Sequence, residues 1–191
     1  MKTLTENDYK EAAAMLKCEV AAVKAVAEVE SLGSGFLSDG SPKILFEGHI
    51  FWRELQKKGI VPQEHTEGNN DILFKSWKRK YKGGIAEYSR LEKACKIDEE
   101  AALRSCSWGT FQILGKWAED LGYNDVFDFV FSIRTGAKEN LMAFVQFVKL
   151  NRLDDNLRAL DWRGFARGYN GPGYKANKYD TKMAAAYQKY K

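Results

Sequence analysis

The sequence predicts a mainly α-helical domain carrying a small β-hairpin or extended lobe. Three observations carry that expectation. Apolar residues recur with the 3.6-residue period of buried helix faces through most of the chain. One stretch, 31–47, abandons that period and sets Gly, Ser, Asp and Pro around two short apolar runs. No internal repeat, low-complexity tract or linker divides the 191 residues, of which 45% are hydrophobic and 29% charged, an ordinary globular composition. With 16 Gly and 3 Pro the chain is not linker-dominated, and a single domain over 1–191 with a sizeable core is expected.

The elements follow in order. Thr5, with Asp8 three residues on, reads as the cap of a first helix that runs to about Lys17. A second helix, Glu19 to Glu30, places Val20, Val23 and Ala27 on one face with Val26 and Val29 beside them, and stops before Gly33 and Gly35. The lobe of 31–47 comes next, and Gln63 to Asp71 reads as a polar loop. Helical patterns return at Ile85–Cys95, Asp98–Cys106, Thr110–Leu121, Val126–Arg134, Lys138–Asn151 and Thr181–Lys191.

The formal net charge is +4, and from Lys149 to Lys191 ten Lys/Arg face four Asp, so the basicity belongs to the C-terminal quarter. Such a segment suits an anionic partner, whether nucleic acid, lipid or acidic glycan, or simply a solvated surface. No nucleic-acid-binding motif accompanies it, so no nucleic acid is expected. The start of the chain lacks the long uncharged stretch and cleavage site of a signal peptide, and no segment approaches the ~20 apolar residues that span a bilayer. Cys18, Cys95 and Cys106 are odd in number without CxxC spacing and read as free thiols of a reducing compartment. His49 and His65 stand outside any Cys/His cluster, so no zinc site is expected.

Glu30 is the most informative residue. On a helical period it extends the stripe of Val20, Val23 and Ala27, at the C-terminal end of the helix. Desolvation and the negative end of the helix dipole both disfavour its ionised form, the environment of a general acid; the alternative is a side chain at a frayed end pointing to water. Two further stretches offer polar groups. In Ser105–Ile113 a glycine-containing turn exposes the backbone and hydroxyl of Ser107, and Phe165–Tyr174 mixes aromatics, an amide and glycines, a combination suited to sugar rings or to a helix terminator with aromatic packing.

Ala25–Ser31, Pro42–Glu47, Ser107–Ile113 and Phe165–Tyr174, in that order, closely resemble the N-acetylmuramidase domain of phage endolysins, from about Val20 to Tyr187. More distantly, Glu30-Ser31, the Ser107 stretch and Tyr169-Asn170 resemble the signatures of soluble lytic transglycosylases and goose-type lysozymes. The resemblance implies a lysozyme-like, mainly α fold with a sugar-binding cleft. It implies that Glu30 is the catalytic acid on the β-1,4 bond between N-acetylmuramic acid and N-acetylglucosamine in peptidoglycan, with no metal or organic cofactor. Ser107, Gln112, Tyr169 and Asn170 carry over as cleft residues by position. Thr110 stands where many relatives have Leu, and Trp108 is expected in the core.

A second carboxylate is less determined. Glu47 follows the extended run Ile44-Leu45-Phe46 and would share a face with Leu45, and Asp39 in the preceding turn competes for the role; a salt bridge supporting the lobe is the structural alternative for Glu47. A separation of ~6.5–9.5 Å between the two carboxyls would suit inversion, and ~5 Å retention.

Many endolysins of this group carry an N-terminal peptidoglycan-binding domain. Only about 17 residues precede the second helix, so a single catalytic domain over 1–191 without a cell-wall-binding domain is expected, and a monomer. The basic Thr181–Lys191 segment could touch an anionic outer membrane or pack onto the domain. The resemblance further implies synthesis in the host cytoplasm and action on the wall, for host lysis, after another protein opens the inner membrane. The alternatives are a lytic transglycosylase leaving 1,6-anhydro ends and a non-enzymatic peptidoglycan-binding module.

Overall fold

In the computed structural model, which describes residues 3–31 and 35–191, the chain clusters into two compact units. One comprises Met1–Gly35 with Thr135–Lys191, the other Phe36–Arg134. The fold class is the mainly α one that the sequence predicts, with a small sheet in the second unit.

The first unit is built around a buried helix. Helix α1 (Glu6–Leu16) begins with the reciprocal cap expected of Thr5: its hydroxyl accepts from the Asp8 amide at 3.3 Å while its own amide donates to Asp8 Oδ2 at 2.8 Å. Lys17, at φ 54°, closes it. Helix α2 (Val20–Ser31) has Ala21, Ala22, Val23, Ala25, Val26, Ala27 and Val29 all buried, so it is covered almost all round and not on one stripe alone. Its small side chains let α10 (Tyr179–Tyr190) lie close, burying Met183, Ala186 and Tyr187. Polar groups fix the pairing: the Tyr187 hydroxyl donates to Glu19 at 2.6 Å, Lys189 to Glu28 at 2.7 Å, and the Tyr190 hydroxyl also to Glu28. Lys24 bonds Glu6 at 2.6 Å and lies 5.6 Å from the ring centroids of Tyr9 and Tyr190. Helices α7 (Ala137–Leu150), α8 (Asp154–Arg158) and α9 (Trp162–Asn170) complete the unit. Gly33, read as part of the α2 stop, lies outside the described residues.

The second unit holds an antiparallel sheet in the order β1 (Ile44–Phe46), β2 (Cys106–Trp108), β3 (Ile113–Leu114). Ile44 pairs with Trp108, Leu45 with Ser107 and Phe46 with Cys106. The lobe of 31–47 thus supplies a strand whose partner comes from far along the chain, while its own turn closes locally through the Phe36–Pro42 bridge. Helix α3 (Gly48–Lys57) follows at once, an element the sequence reading did not assign. Gly48 is required at its start, since a Cβ there would stand 2.5 Å from the Phe74 ring and from the Ile72 carbonyl. Helix α4 (Ala86–Cys95), α5 (Glu99–Arg104) capped by Asp98, and α6 (Val126–Thr135) lie close to their expected bounds.

Two expectations are corrected here. The helix expected over Asp98–Cys106 ends at Arg104, because Cys106 enters β2. The helix expected over Thr110–Leu121 does not form. Gly109 (φ 69°) and Gln112 (φ 50°) take left-handed backbone that reverses the chain from β2 into β3, and Gly115–Trp117 makes only a 3-10 turn. Gly115 packs backbone to backbone, where a Cβ would lie 2.4 Å from the Leu103 carbonyl.

What pins β1 is a buried ion pair. Glu87 and Arg90 on α4 have side chains 0% and 1% exposed and meet at 2.7 Å. Glu87 Oε2 accepts from the Phe46 amide at 2.9 Å, and Oε1 from the Lys82 and Gly83 amides at 2.5 and 3.1 Å. Arg90 donates to the carbonyls of Phe46 and Asp71 at 3.0 and 2.7 Å. Burial pushes the Glu87 carboxyl up, but the three amides and Arg90 outweigh it and hold it below its ordinary value. Glu87→Ala would strand Arg90 and three backbone donors, and a loss of roughly 3–5 kcal/mol is expected by urea unfolding.

Candidate active site

Glu30 is the penultimate residue of α2, a helix buried over most of its surface. Both of its carboxylate oxygens accept from Asn170 Nδ2 at 3.2 Å. Asn170 closes α9, which ends because Gly171 takes φ 78° and Pro172 follows. One residue earlier, Tyr169 stacks on Phe165 (centroids 5.6 Å, planes 10° apart) and meets Phe144 and Phe147 edge-on at 5.7 and 5.5 Å. This aromatic bed fixes the last turn of α9 and so the amide that faces Glu30. Gly168 packs close to Leu153, whose side-chain end a Cβ there would displace.

Burial pushes the Glu30 carboxyl up to about 7, against the Asn170 amide, which favours the charged form. Burial and then the charge of Glu30 raise both Tyr169 and Tyr179, so both phenols feel the field of this carboxylate.

In the second unit Glu47 stands between β1 and α3, half-buried on the same side as Leu45, as the alternation along the strand requires. Its amide donates to the Ser105 carbonyl at 2.9 Å. Tyr81 donates its hydroxyl to Glu47 Oε1 at 2.6 Å, and His49 Nδ1 stands 3.4 Å from Oε2. Burial and the bond to Glu47 push the Tyr81 hydroxyl up to about 12. Burial lowers His49, with Glu47 acting against it and Arg53 and Lys116 with it. Asp39 is occupied in its own turn, where Oδ1 accepts from the amide and hydroxyl of Ser41 at 2.9 and 2.5 Å. Ser107 is half-buried on β2, opposite Leu45. Gln112 Nε2 donates to the carbonyls of Gly109 and Lys43 at 2.8 and 3.3 Å, while its Oε1 is buried without a partner. Trp108 is 2% exposed and donates to the Leu103 carbonyl, a core residue as expected.

A family model described as Muramidase: N-acetylmuramidase matches residues 19–191. The chain belongs to the N-acetylmuramidase family. It is also similar to the crystal structure of the Burkholderia AP3 phage endolysin, at 41% identity and a TM-score of 0.93, over 99% of this chain and 72% of that one. Comparison with curated protein sequences gives no match.

Within this N-acetylmuramidase domain Glu30, Tyr169 and Asn170 come together in the first unit, and Glu47, Ser107 and Gln112 surround the sheet of the second. Sequence reasoning missed Tyr179, Tyr81 and His49. Tyr81 reaches Glu47, and Tyr179 feels the charge of Glu30, from distant parts of the chain without any periodic signal; His49, two residues from Glu47 and one of only two histidines, was the one that spacing alone could have flagged.

The raised Glu30 value makes stability depend on pH. A carboxyl near 7 when folded and near 4.5 when unfolded favours the fold fully below about pH 4.5, and that advantage is lost as pH rises through 7. Glu30→Gln, which cannot ionise, should match the parent chain at pH 4 and exceed it by roughly 2–3 kcal/mol at pH 8 in urea unfolding. Asn170→Ala, lacking the amide that favours the charge, should move the midpoint of the parent's decline to higher pH.

Proposed function

We propose that the chain is the catalytic part of a phage-type endolysin that hydrolyses the β-1,4 bond between N-acetylmuramic acid and N-acetylglucosamine, with Glu30 as general acid. The observation that carries this is a carboxyl at the end of a sheathed helix, lifted by burial to about 7 and oriented by an amide. At neutral pH such a group holds a proton for a good share of the time and gives it to the glycosidic oxygen as the bond to the anomeric carbon breaks. An amide orients the carboxyl without cancelling this, whereas a cation at the same distance would depress it. Family membership and the similarity to a phage endolysin support the substrate class and the role in host lysis.

Glu47 is the second carboxylate of this reading, activating water or forming the glycosyl intermediate. Asp39 is the weaker choice because its turn already engages it. In this reading Tyr169 and Asn170, beside Glu30, and Ser107, on β2, each contact the glycan. The buried, unpartnered oxygens of Gln112 and Asn170 are acceptors for the N–H and O–H groups that acetamido sugars offer. No residue needs a metal or organic cofactor in this chemistry. The protein is synthesised in the host cytoplasm, reaches the wall after another protein opens the inner membrane, and works as a monomer. A contact of the C-terminal segment with an anionic outer membrane would rest on charge at exposed Lys182 and Lys191, because α10 buries its apolar residues in the fold and Lys189 is paired with Glu28.

One observation favours a second reading. Tyr81 engages Glu47 Oε1, so this carboxylate has a structural partner, and in a lytic transglycosylase the substrate's own hydroxyl replaces the activated water. Mass spectrometry of fragments released from purified peptidoglycan separates the two. Reducible N-acetylmuramic acid ends are expected, with at least ~100-fold lower turnover for Glu30→Gln and a comparable fall for Glu47→Gln. Anhydro ends with Glu47→Gln still active would establish the transglycosylase, and Glu30→Gln near parent turnover would remove the general acid.

A further inference from the structure

The C-terminal quarter does not hold all of the basicity. Lys75, Lys78, Arg79, Lys80 and Lys82 fall within eight residues, and all five are exposed. None of them joins an ion pair among the described residues, whereas Lys24, Lys57, Lys58, Lys93, Arg104, Lys138, Arg158 and Lys189 do. In their midst Trp77 is 60% exposed. An unneutralised row of like charges repels itself, and water gives an indole little in return; both are relieved by a polyanion with flat apolar faces.

The segment has no regular secondary structure over 77–83, yet both of its ends are anchored. Phe74 is buried over Gly48, the first residue of α3. At the other end Tyr81 bonds Glu47, and the amides of Lys82 and Gly83 bond buried Glu87. The cations are therefore displayed from a loop whose position is set by contact with Glu47 itself.

We infer that the Lys75–Lys82 loop is a docking surface for a carboxylate-bearing wall polymer, holding the peptide-substituted glycan strand alongside Glu47. This inference rests on the peptidoglycan reading above and names the part of that substrate which the loop grips: the acidic stem peptides, with Trp77 against a sugar or peptide face. A polymer that must pass Glu47 meets the loop in passing. A lipid surface is the less fitting occupant, because adsorption to a membrane plane is strengthened by an apolar face that inserts, and the loop offers a single indole.

The test is co-sedimentation of the full-length Glu30→Gln chain with purified peptidoglycan sacculi, native or with their carboxyls capped as neutral amides. Native sacculi are expected to bind about tenfold more tightly than capped ones, and 0.5 M salt to erase the difference. The variant K75Q/K78Q/R79Q/K80Q, with an unchanged unfolding temperature, should bind native sacculi about tenfold more weakly and respond little to capping. Equal binding of native and capped sacculi by the unsubstituted loop would overturn the proposal without recourse to any loop variant. So would tighter capture by phosphatidylglycerol vesicles or by DNA than by sacculi. Fragment release by the chain with Glu30 intact is read in parallel: charge-dependent binding without cleavage would support the docking surface and overturn the hydrolase reading instead.

Discussion

Everything in the first unit depends on the burial of α2. Alanine and valine on nearly every face let α1 and α10 close around the helix, and Tyr187, Lys189 and Tyr190 fasten α10 to carboxylates at its two ends. A helix enclosed in this way carries its last turn out of water, and Glu30 lies in that turn. The packing that stabilises the unit is thus the cause of the raised carboxyl. The same burial that favours the fold when Glu30 is neutral opposes it when Glu30 is charged, so stability falls as pH rises through about 7.

The second unit treats a buried carboxylate in the opposite way. Glu87 is as dry as any residue in the chain, yet three backbone amides and Arg90 keep it charged. The contrast is instructive because the residue type is the same. A carboxylate given charge-stabilising donors on every side becomes a bracket: it ties β1, the 82–83 turn and α4 to one another and has no proton to give. A carboxyl buried beside a single amide, as Glu30 is, keeps its proton up to about 7. Environments that push two carboxyls apart are the pattern that separates structural from chemical use, and under the proposed function Glu30 is the chemical one.

Much of this was legible in the sequence, and the remainder was hidden for physical reasons. The helices α1, α2, α4, α6, α7 and α10 could be read because caps and apolar periods are local. Glu30 could be read for the same reason, as the next position on a stripe. The sheet could not, because β1 and β2 meet across more than half of the second unit, and the reversal between β2 and β3 depends on a positive φ at Gln112 that its residue type does not announce. A run ending in Gly-Thr-Phe-Gln-Ile looks like a helix start until the backbone of Gly115 is seen pressed on Leu103. Helix α3 was overlooked because it begins at Glu47-Gly48 with no side-chain cap. Tyr81 and Tyr179 belong to carboxylates that only the fold brings near them.

Two side-chain amides show how such a fold prepares to meet a ligand. Gln112 places its NH₂ between the Gly109 and Lys43 carbonyls, and Asn170 directs its NH₂ to both oxygens of Glu30. A carbonyl or an ionised carboxylate can only accept, so these contacts dictate which end of each amide is nitrogen and which way its oxygen points. Each oxygen is buried and unpartnered. An acceptor left in that state costs of order 1–3 kcal/mol until a donor reaches it. That cost is already part of the free energy of the folded chain, and a donor that reached either oxygen would return it. For Asn170 the arrangement also reports on Glu30. Once the carboxyl is protonated it can donate as well as accept, the demand on the amide nitrogen weakens, and the amide can turn its oxygen to the new proton. The protonated state of Glu30 is therefore the one in which its neighbour is least constrained, and under the proposed general-acid role a bound sugar that holds the Asn170 oxygen away from Glu30 would leave the proton free for the glycosidic oxygen.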